Sequence, residues 1–157
     1  MADDDRKILC LACGALNRVP AARALSTAKC GRCAAGLATP EPVALTGEQL
    51  AALVAKDTGA FVLDVWAPWC GPCRMMAPHY TSAAFNLSSR VRFFKLDSEQ
   101  NQAAATHLQI RGVPTLIGWS GGRQVANQPG AQTGPALEAW IRNVFSLTET
   151  HNRSHTE

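Results

Sequence analysis

Six cysteines fall into three pairs of one spacing: Cys10 with Cys13, Cys30 with Cys33, and Cys70 with Cys73. Two sulfurs at that spacing can exchange electrons with another disulfide, hold half of a metal site, or form a static bond. Their surroundings differ. The third pair sits in "DVWAPWCGPCRMMAPHY", residues 64–80, among tryptophans and prolines and ahead of an apolar helical pattern. The first two lie in a head of about forty residues that carries no tryptophan.

Dithiol chemistry needs one exposed, easily ionised sulfur and a second close enough to strike it. Cys-Gly-Pro-Cys at a strand-to-helix junction meets both demands. Cys70 falls at the helix start, where unpaired amides and the positive end of the dipole favour a thiolate. Cys73, one turn later, is the shielded resolving thiol. Gly71 permits the close turn, and Pro72 loses no helical hydrogen bond in a first turn. Upstream, Asp64 lies inside the apolar run "FVLDVW". Burial there should raise its pKa toward neutrality, so that it could take and return the Cys73 proton. The competing reading is an acid that caps a turn at the strand end. Trp66 and Trp69 read as packing and surface-shaping residues, with Trp69 on the face offered to substrate. Pro114, in "IRGVPTLIG", stands where a cis bond could turn the chain beside the cysteines.

The head reads by contrast. "CLACG" and "CGRCA" are 16 residues apart, which fits the C-x2-C…C-x2-C pattern of a four-thiolate zinc site. Cys10, Cys13, Cys30 and Cys33 would surround one Zn2+ with no open position, a structural site. Gly14 and Gly31 are expected to make the tight turns. So few large apolar side chains cannot build a core without the metal. Disulfides or further redox dithiols are the alternatives, without the Gly-Pro insert or buried acid of the third pair.

These residues must be positioned by alternating elements. The head, 1–39, reads as strand-poor; "TPEP" supplies a linker over 40–42; the body runs 43–147; and a polar tail, 148–157, has no apolar anchor. In the body, Thr46 and Gln49 form a capping box for a helix presenting Leu50, Leu53 and Val54. "AFVLDVWA" reads as a buried strand, and a helix from about Cys70 carries Met76, Tyr80, Ala83, Ala84 and Leu87 on one face. "VRFFKLD", a short helix near "QNQAAATHL", strands "TLIGWS" and "RQVANQ" joined at Gly121 and Gly122, and a last helix follow. That helix has Thr133 as its cap, Pro135 in its first turn, and Leu137, Trp140, Ile141, Val144 and Phe145 as its stripe. The alternation predicts an α/β domain: a mixed central sheet with helices on both faces, preceded by a small zinc-ribbon-like module.

"VLDVWAPWCGPCRMMAP", followed 44 residues after Cys70 by the proline of "GVPT", closely resembles thioredoxin over 43–147. The resemblance implies a thioredoxin fold. Cys70 is then the attacking thiol, Cys73 the resolving thiol, Asp64 the buried proton acceptor and Pro114 the cis-proline. It implies that Lys95 neighbours Asp64, that Pro78 kinks the helix, and that Gly112 and Val113 dock an extended substrate segment. Arg74 stands where many thioredoxins have lysine, which should alter surface contacts only. The four-cysteine head, with "LNRVPAAR" and "AKCGRC", resembles the thioredoxin 2 subfamily of bacterial cytoplasmic thioredoxins.

The resulting expectation is a protein-disulfide reductase acting on disulfide-bearing proteins and reset by an NADPH-dependent thioredoxin reductase. No flavin or nicotinamide fingerprint occurs in the chain itself. An oxidase or isomerase, or a zinc-dependent adaptor or chaperone that binds without turnover, are the alternatives. The zinc thiolates could act as an oxidant sensor that alters access to Cys70. Residues 1–41 carry six basic and four acidic residues and the remainder nine and eight, which is no nucleic-acid footprint. The acidic opening "MADDDRK" is unlike a secretory leader and no run has membrane-spanning length, so a cytoplasmic location is expected. His79, His107, His151 and His155 lack ligand spacing; Met75 and Met76 could line a substrate surface or pack inward.

Overall fold

The computed structural model of the chain describes residues 5–147. The expected tail, with His151 and His155, lies outside them. Elements follow in the order β1 (Asp5–Leu9), β2 (Leu16–Pro20), a 3-10 turn (Leu25–Thr27), β3 (Val43–Ala44), α1 (Gly47–Lys56), β4 (Phe61–Trp66), α2 (Gly71–Leu87), β5 (Arg92–Asp97), α3 (Gln102–His107), β6 (Thr115–Ser120), β7 (Arg123–Pro129) and α4 (Pro135–Val144).

The body is built on a five-stranded sheet ordered β3-β5-β4-β6-β7. β3 and β4 run parallel to β5; β6 lies antiparallel to β4, and β7 antiparallel to β6. Central β4 is buried along its first five residues, as a strand covered on both faces must be. Its side chains alternate between two cores. Val62 joins Met76, Tyr80, Ala83 and Leu87 of α2 with Leu137 and Ile141 of α4. Phe61, Leu63 and Val65 join Leu50 and Leu53 of α1, flanked by Ala104 of α3 and Leu108. Helices therefore cover both faces, and Asp64, in step with Val62, belongs to the α2 side.

Three local expectations need correction. Val54 of α1 is exposed, because the α1 face that meets the sheet is no wider than Leu50 and Leu53 require. Thr133 does not cap α4; Gly134 takes that position with φ 61°. The Gly134 amide instead donates to His79 Nδ1 on α2 at 3.0 Å, a cap supplied from another element. The head is not strand-poor either. β1 and β2 form an antiparallel hairpin whose Ile8 and Val19 pack with Leu25, Ala28 and Leu37. Consecutive residues of β1 face opposite ways, so Ile8 enters this small core while Leu9 enters that of the body.

The head docks where β4 and β5 begin. Thr58 N–H donates to Lys7 O at 2.8 Å, and Leu25 N–H to Ser89 O at 2.9 Å. A Cβ at Gly59 would lie 2.5 Å from Ile8 Cδ1, so a larger residue there would require the buried Ile8 side chain to shift. Buried Tyr80 stitches the sheet to α2, its Oη lying 2.7 Å from Phe94 O and 3.1 Å from Val62 O. Tyr80→Phe should cost about 1–3 kcal/mol in urea unfolding with unchanged helix content, because it strips a donor from buried carbonyls.

Candidate active site and metal centre

β4 delivers the chain through Trp66 and a short loop to α2, and Cys70 is the N-cap residue of that helix, with φ −89° and ψ 111°. The Cys73 amide points at Cys70 Sγ from 3.1 Å. An amide at a helix start has no carbonyl partner of its own, so this donor is free to stabilise negative charge on sulfur. Cys70 and Cys73 are joined by a disulfide, with Cα atoms 5.3 Å apart. Sequence reasoning expected Cys70 exposed and Cys73 shielded, whereas in this bonded form each is only 3% exposed, packed with Ala67, Trp66 and Val113. What distinguishes the sulfurs is the helix amide, which Cys70 receives.

Asp64 is 5% exposed, and its Oδ1 has no hydrogen-bond partner. It caps no turn. Burial pushes its carboxyl up to about 7, against the opposing pull of Lys95, its register partner on β5. Its charge in turn adds to burial in holding the Tyr80 phenol well above its ordinary range.

Across from α2, the Val113-Pro114 bond is cis, and Val113 O lies 3.7 Å from Cys70 Sγ. Pro114 is buried and Gly112 exposed. Trp69 is 66% exposed, and its indole N–H donates to Glu99 Oε2 at 2.8 Å, which holds the ring beside the disulfide. The two methionines divide: Met75 is exposed beside the site and Met76 is core. Arg74 Nη1 donates to Pro68 O at 2.7 Å, tying α2 back to the loop that precedes Cys70.

In the head, Cys10, Cys13, Cys30 and Cys33 place their sulfurs within 4.8 Å of one another. Four thiolates about 2.3 Å from one Zn2+ in a tetrahedron have edges of about 3.8 Å. Cys10 and Cys33 are 3.6 Å apart, as are Cys13 and Cys30, so the donor set fits the ion. The two turns repeat one backbone pattern: Gly14 N–H to Cys10 O with Cys10 N–H to Ala15 O, and Ala34 N–H to Cys30 O with Cys30 N–H to Ala35 O. The second left-handed residue is Ala34, φ 69°, in the place corresponding to Gly14, φ 82°. Gly31, expected there, instead donates its amide to Asn17 Oδ1 at 2.9 Å. Backbone amides of Cys33 and Arg32 hold the Cys30 thiol down at about 6, whereas at Cys33 the Ala35 amide is outweighed by burial and the neighbouring sulfurs, which push the thiol up to about 11.

A sequence model of the family described as Thioredoxin matches residues 41–143. The chain belongs to the thioredoxin family. A zinc-ribbon model described as "Thioredoxin 2, N-terminal" matches residues 9–35. Thioredoxin C-3 of Corynebacterium nephridii is 34% identical over 134 residues, which is 85% of this chain and 92% of that protein. A thioredoxin of Haemophilus influenzae is 41% identical over 70 residues, 45% of this chain and 65% of the relative. Among solved structures, a mutant thioredoxin from Halobacterium salinarum superposes with TM-score 0.61 at 32% identity, covering 71% of this chain and 96% of that one. Chloroplastic thioredoxin z shares the fold, with TM-score 0.60 at 24% identity over 68% of this chain and 96% of that one. The thioredoxin family and the bonded Cys70 and Cys73 pair make the chain a thiol-disulfide oxidoreductase, a protein-disulfide reductase of thioredoxin type.

Sequence reasoning missed Glu99 behind Trp69, Asn17 behind the second cysteine turn, and Thr115, whose Oγ1 donates to Gly112 O at 2.7 Å. It also missed the buried ion pair of Arg92 with Asp57. The signal for Arg92 was present: it is a charge inside the apolar run "VRFF", as Asp64 is inside "FVLDVW".

The Asp64 shift has a consequence for stability. Its folded pKa, about 7, exceeds the unfolded value of about 4, so the native state holds more protons across that interval. The protonated carboxyl is tolerated below pH 4, and stability falls as pH rises from 4 through 7. Asp64→Asn should flatten this fall and stabilise the oxidised protein at pH 8 by an amount on the order of a few kcal/mol, read from urea midpoints at pH 5 and 8.

Proposed function

We propose that Cys70 is the attacking thiol and Cys73 the resolving thiol of this reductase. The observation that carries the assignment is the Cys73 amide on Cys70 Sγ at a helix start. In the reduced enzyme, Cys70 thiolate attacks a substrate disulfide, forming a mixed disulfide and expelling one substrate thiolate. Cys73 surrenders its proton to Asp64 and attacks Cys70 Sγ, expelling the second. Two electrons pass to the substrate, which takes up two protons, and the enzyme is left with the Cys70 to Cys73 bond. A carboxyl near 7 can both accept and release the Cys73 proton at neutral pH, which favours this role for Asp64.

The substrate chain lies against Gly112 and Val113, whose backbone Pro114 and Thr115 hold beside the sulfur, with Trp69 and Met75 forming the apolar rim. The pair is reset by an NADPH-dependent thioredoxin reductase, and the protein works in the cytoplasm. No helix among the described residues is long and apolar enough to cross a membrane.

Cys10, Cys13, Cys30 and Cys33 hold one zinc ion; when bound it supplies a closed four-thiolate cross-link with no open position for chemistry. The head, 1–39, is joined through 40–42 to the catalytic body, 43–147, with 148–157 as a tail. Contacts of the head with residues 57–59 and 89 lie at the opposite end of β4 from Cys70, roughly 20 Å of strand away, which favours a structural role over a gate on the dithiol.

Disulfide reduction should be lost in Cys70→Ser by at least about a thousandfold, which corresponds to about 4 kcal/mol. Cys73→Ser should accumulate a mixed disulfide with substrate, seen by mass spectrometry. Turnover by Cys70→Ser with NADPH and thioredoxin reductase would sink the assignment. Metal analysis of reduced protein should find one zinc per chain.

A further inference from the structure

The Asp57 and Arg92 pair belongs to the body, yet its hydrogen bonds end on the head. Asp57 follows α1 and is 1% exposed; Arg92 opens β5 and is 3% exposed. Asp57 Oδ2 accepts the Leu9 amide at 2.7 Å and bonds Arg92 Nη2, while Oδ1 accepts the Gly59 amide at 2.8 Å. Arg92 Nη1 donates to Leu9 O at 3.2 Å. That carbonyl belongs to the peptide unit whose N–H is Cys10's, and the Cys10 N–H donates to Ala15 O to close the first cysteine turn. One buried ion pair thus grips both sides of the residue preceding a candidate zinc ligand.

The pair also needs the head. Taking two charges out of water is repaid only when geometry and additional hydrogen bonds satisfy them. Arg92 Nε already lacks a partner. If the Leu9 backbone withdrew, a buried carboxylate and a guanidinium would each lose a further hydrogen bond. The Leu9 side chain would leave the core it shares with Leu50, Phe61 and Trp119.

We infer that Asp57 and Arg92 are positioning residues of the four-cysteine centre, orienting the Leu9 to Cys10 peptide so that zinc binding stabilises the whole catalytic body. This rests on the zinc reading above. The coupling works in both directions: whatever binds only the folded head stabilises the body, and whatever frees Leu9 weakens the metal site.

All four tryptophans, Trp66, Trp69, Trp119 and Trp140, lie in the body, so their fluorescence follows its unfolding, with Trp119 also sensing the loss of Leu9 from the core they share. The full chain, kept reduced by a phosphine, is unfolded in urea with Zn2+ and with a chelator, and zinc affinity is measured by competition with a chromophoric chelator. Zinc should raise the tryptophan-detected midpoint of the wild type. In the double variant Asp57→Asn with Arg92→Met, no bare charge is left and the introduced side-chain amide still offers Gly59 an acceptor. There, zinc affinity should fall at least tenfold and the zinc-dependent midpoint shift should disappear. Arg92→Lys, which keeps the charge but removes the two-pronged contact, should weaken zinc binding in the same direction and serves if the double variant does not fold. A wild-type midpoint indifferent to bound zinc overturns the inference, as does wild-type zinc affinity in a folded variant. Reduced protein that binds no zinc overturns the zinc reading itself and the inference with it.

Discussion

The amino-terminal end of α2 is the constraint around which the chain is organised. A single sulfur must sit where helix amides are unpaired, and Cys70 sits there because β4 ends just before it and α2 begins just after it. A free strand end would not hold that junction. β4 is central, paired on both edges and covered on both faces, so the position of Cys70 is fixed by two cores at once. Val113, brought alongside by β6, then closes the pocket over the disulfide.

Among the described residues, the buried acids Asp64 and Asp57 are handled in opposite ways. Asp64 has no counter-ion in contact, an unbonded Oδ1, and a pKa pushed toward neutrality. Such a group is costly to stability and useful for moving a proton. Asp57 is as deeply buried, but it receives a guanidinium and two backbone amides. The desolvation of this second acid is offset by hydrogen bonds that span head and body. One acid is left under-satisfied, and the other is held by three hydrogen bonds.

Much of the body was legible because its signals are local and repeated. The capping box of Thr46 with Gln49, the apolar run of β4, the inward face of α2 and the glycine hairpin at Gly121 and Gly122 all appear as read. Misreadings fall where a local rule met a distant competitor. Thr133 is a sound cap by type, but His79 from α2 reaches the helix start instead. Val54 has helical spacing, yet the sheet leaves it uncovered. The hairpin of β1 and β2 was missed because each strand is five residues long, is interrupted by charge, and buries its apolar residues against different partners.

The residue types and spacings by themselves determined the chemistry: a Cys-Gly-Pro-Cys dithiol with an acid buried upstream, and four further thiols at zinc-ligand spacing. Those are properties of side-chain identity and short-range geometry, which a linear chain carries intact. Only the tertiary structure decided that the head contacts the chain beside residues 57–59, at the end of β4 opposite Cys70, that the sulfurs of Cys70 and Cys73 are both covered in the bonded form, and that Leu9 is held by Asp57 and Arg92. Asp57 and Arg92 are 35 positions apart, and Arg92 is 83 from Leu9. A contact across such separations depends on every element that packs between them, so no local pattern encodes it.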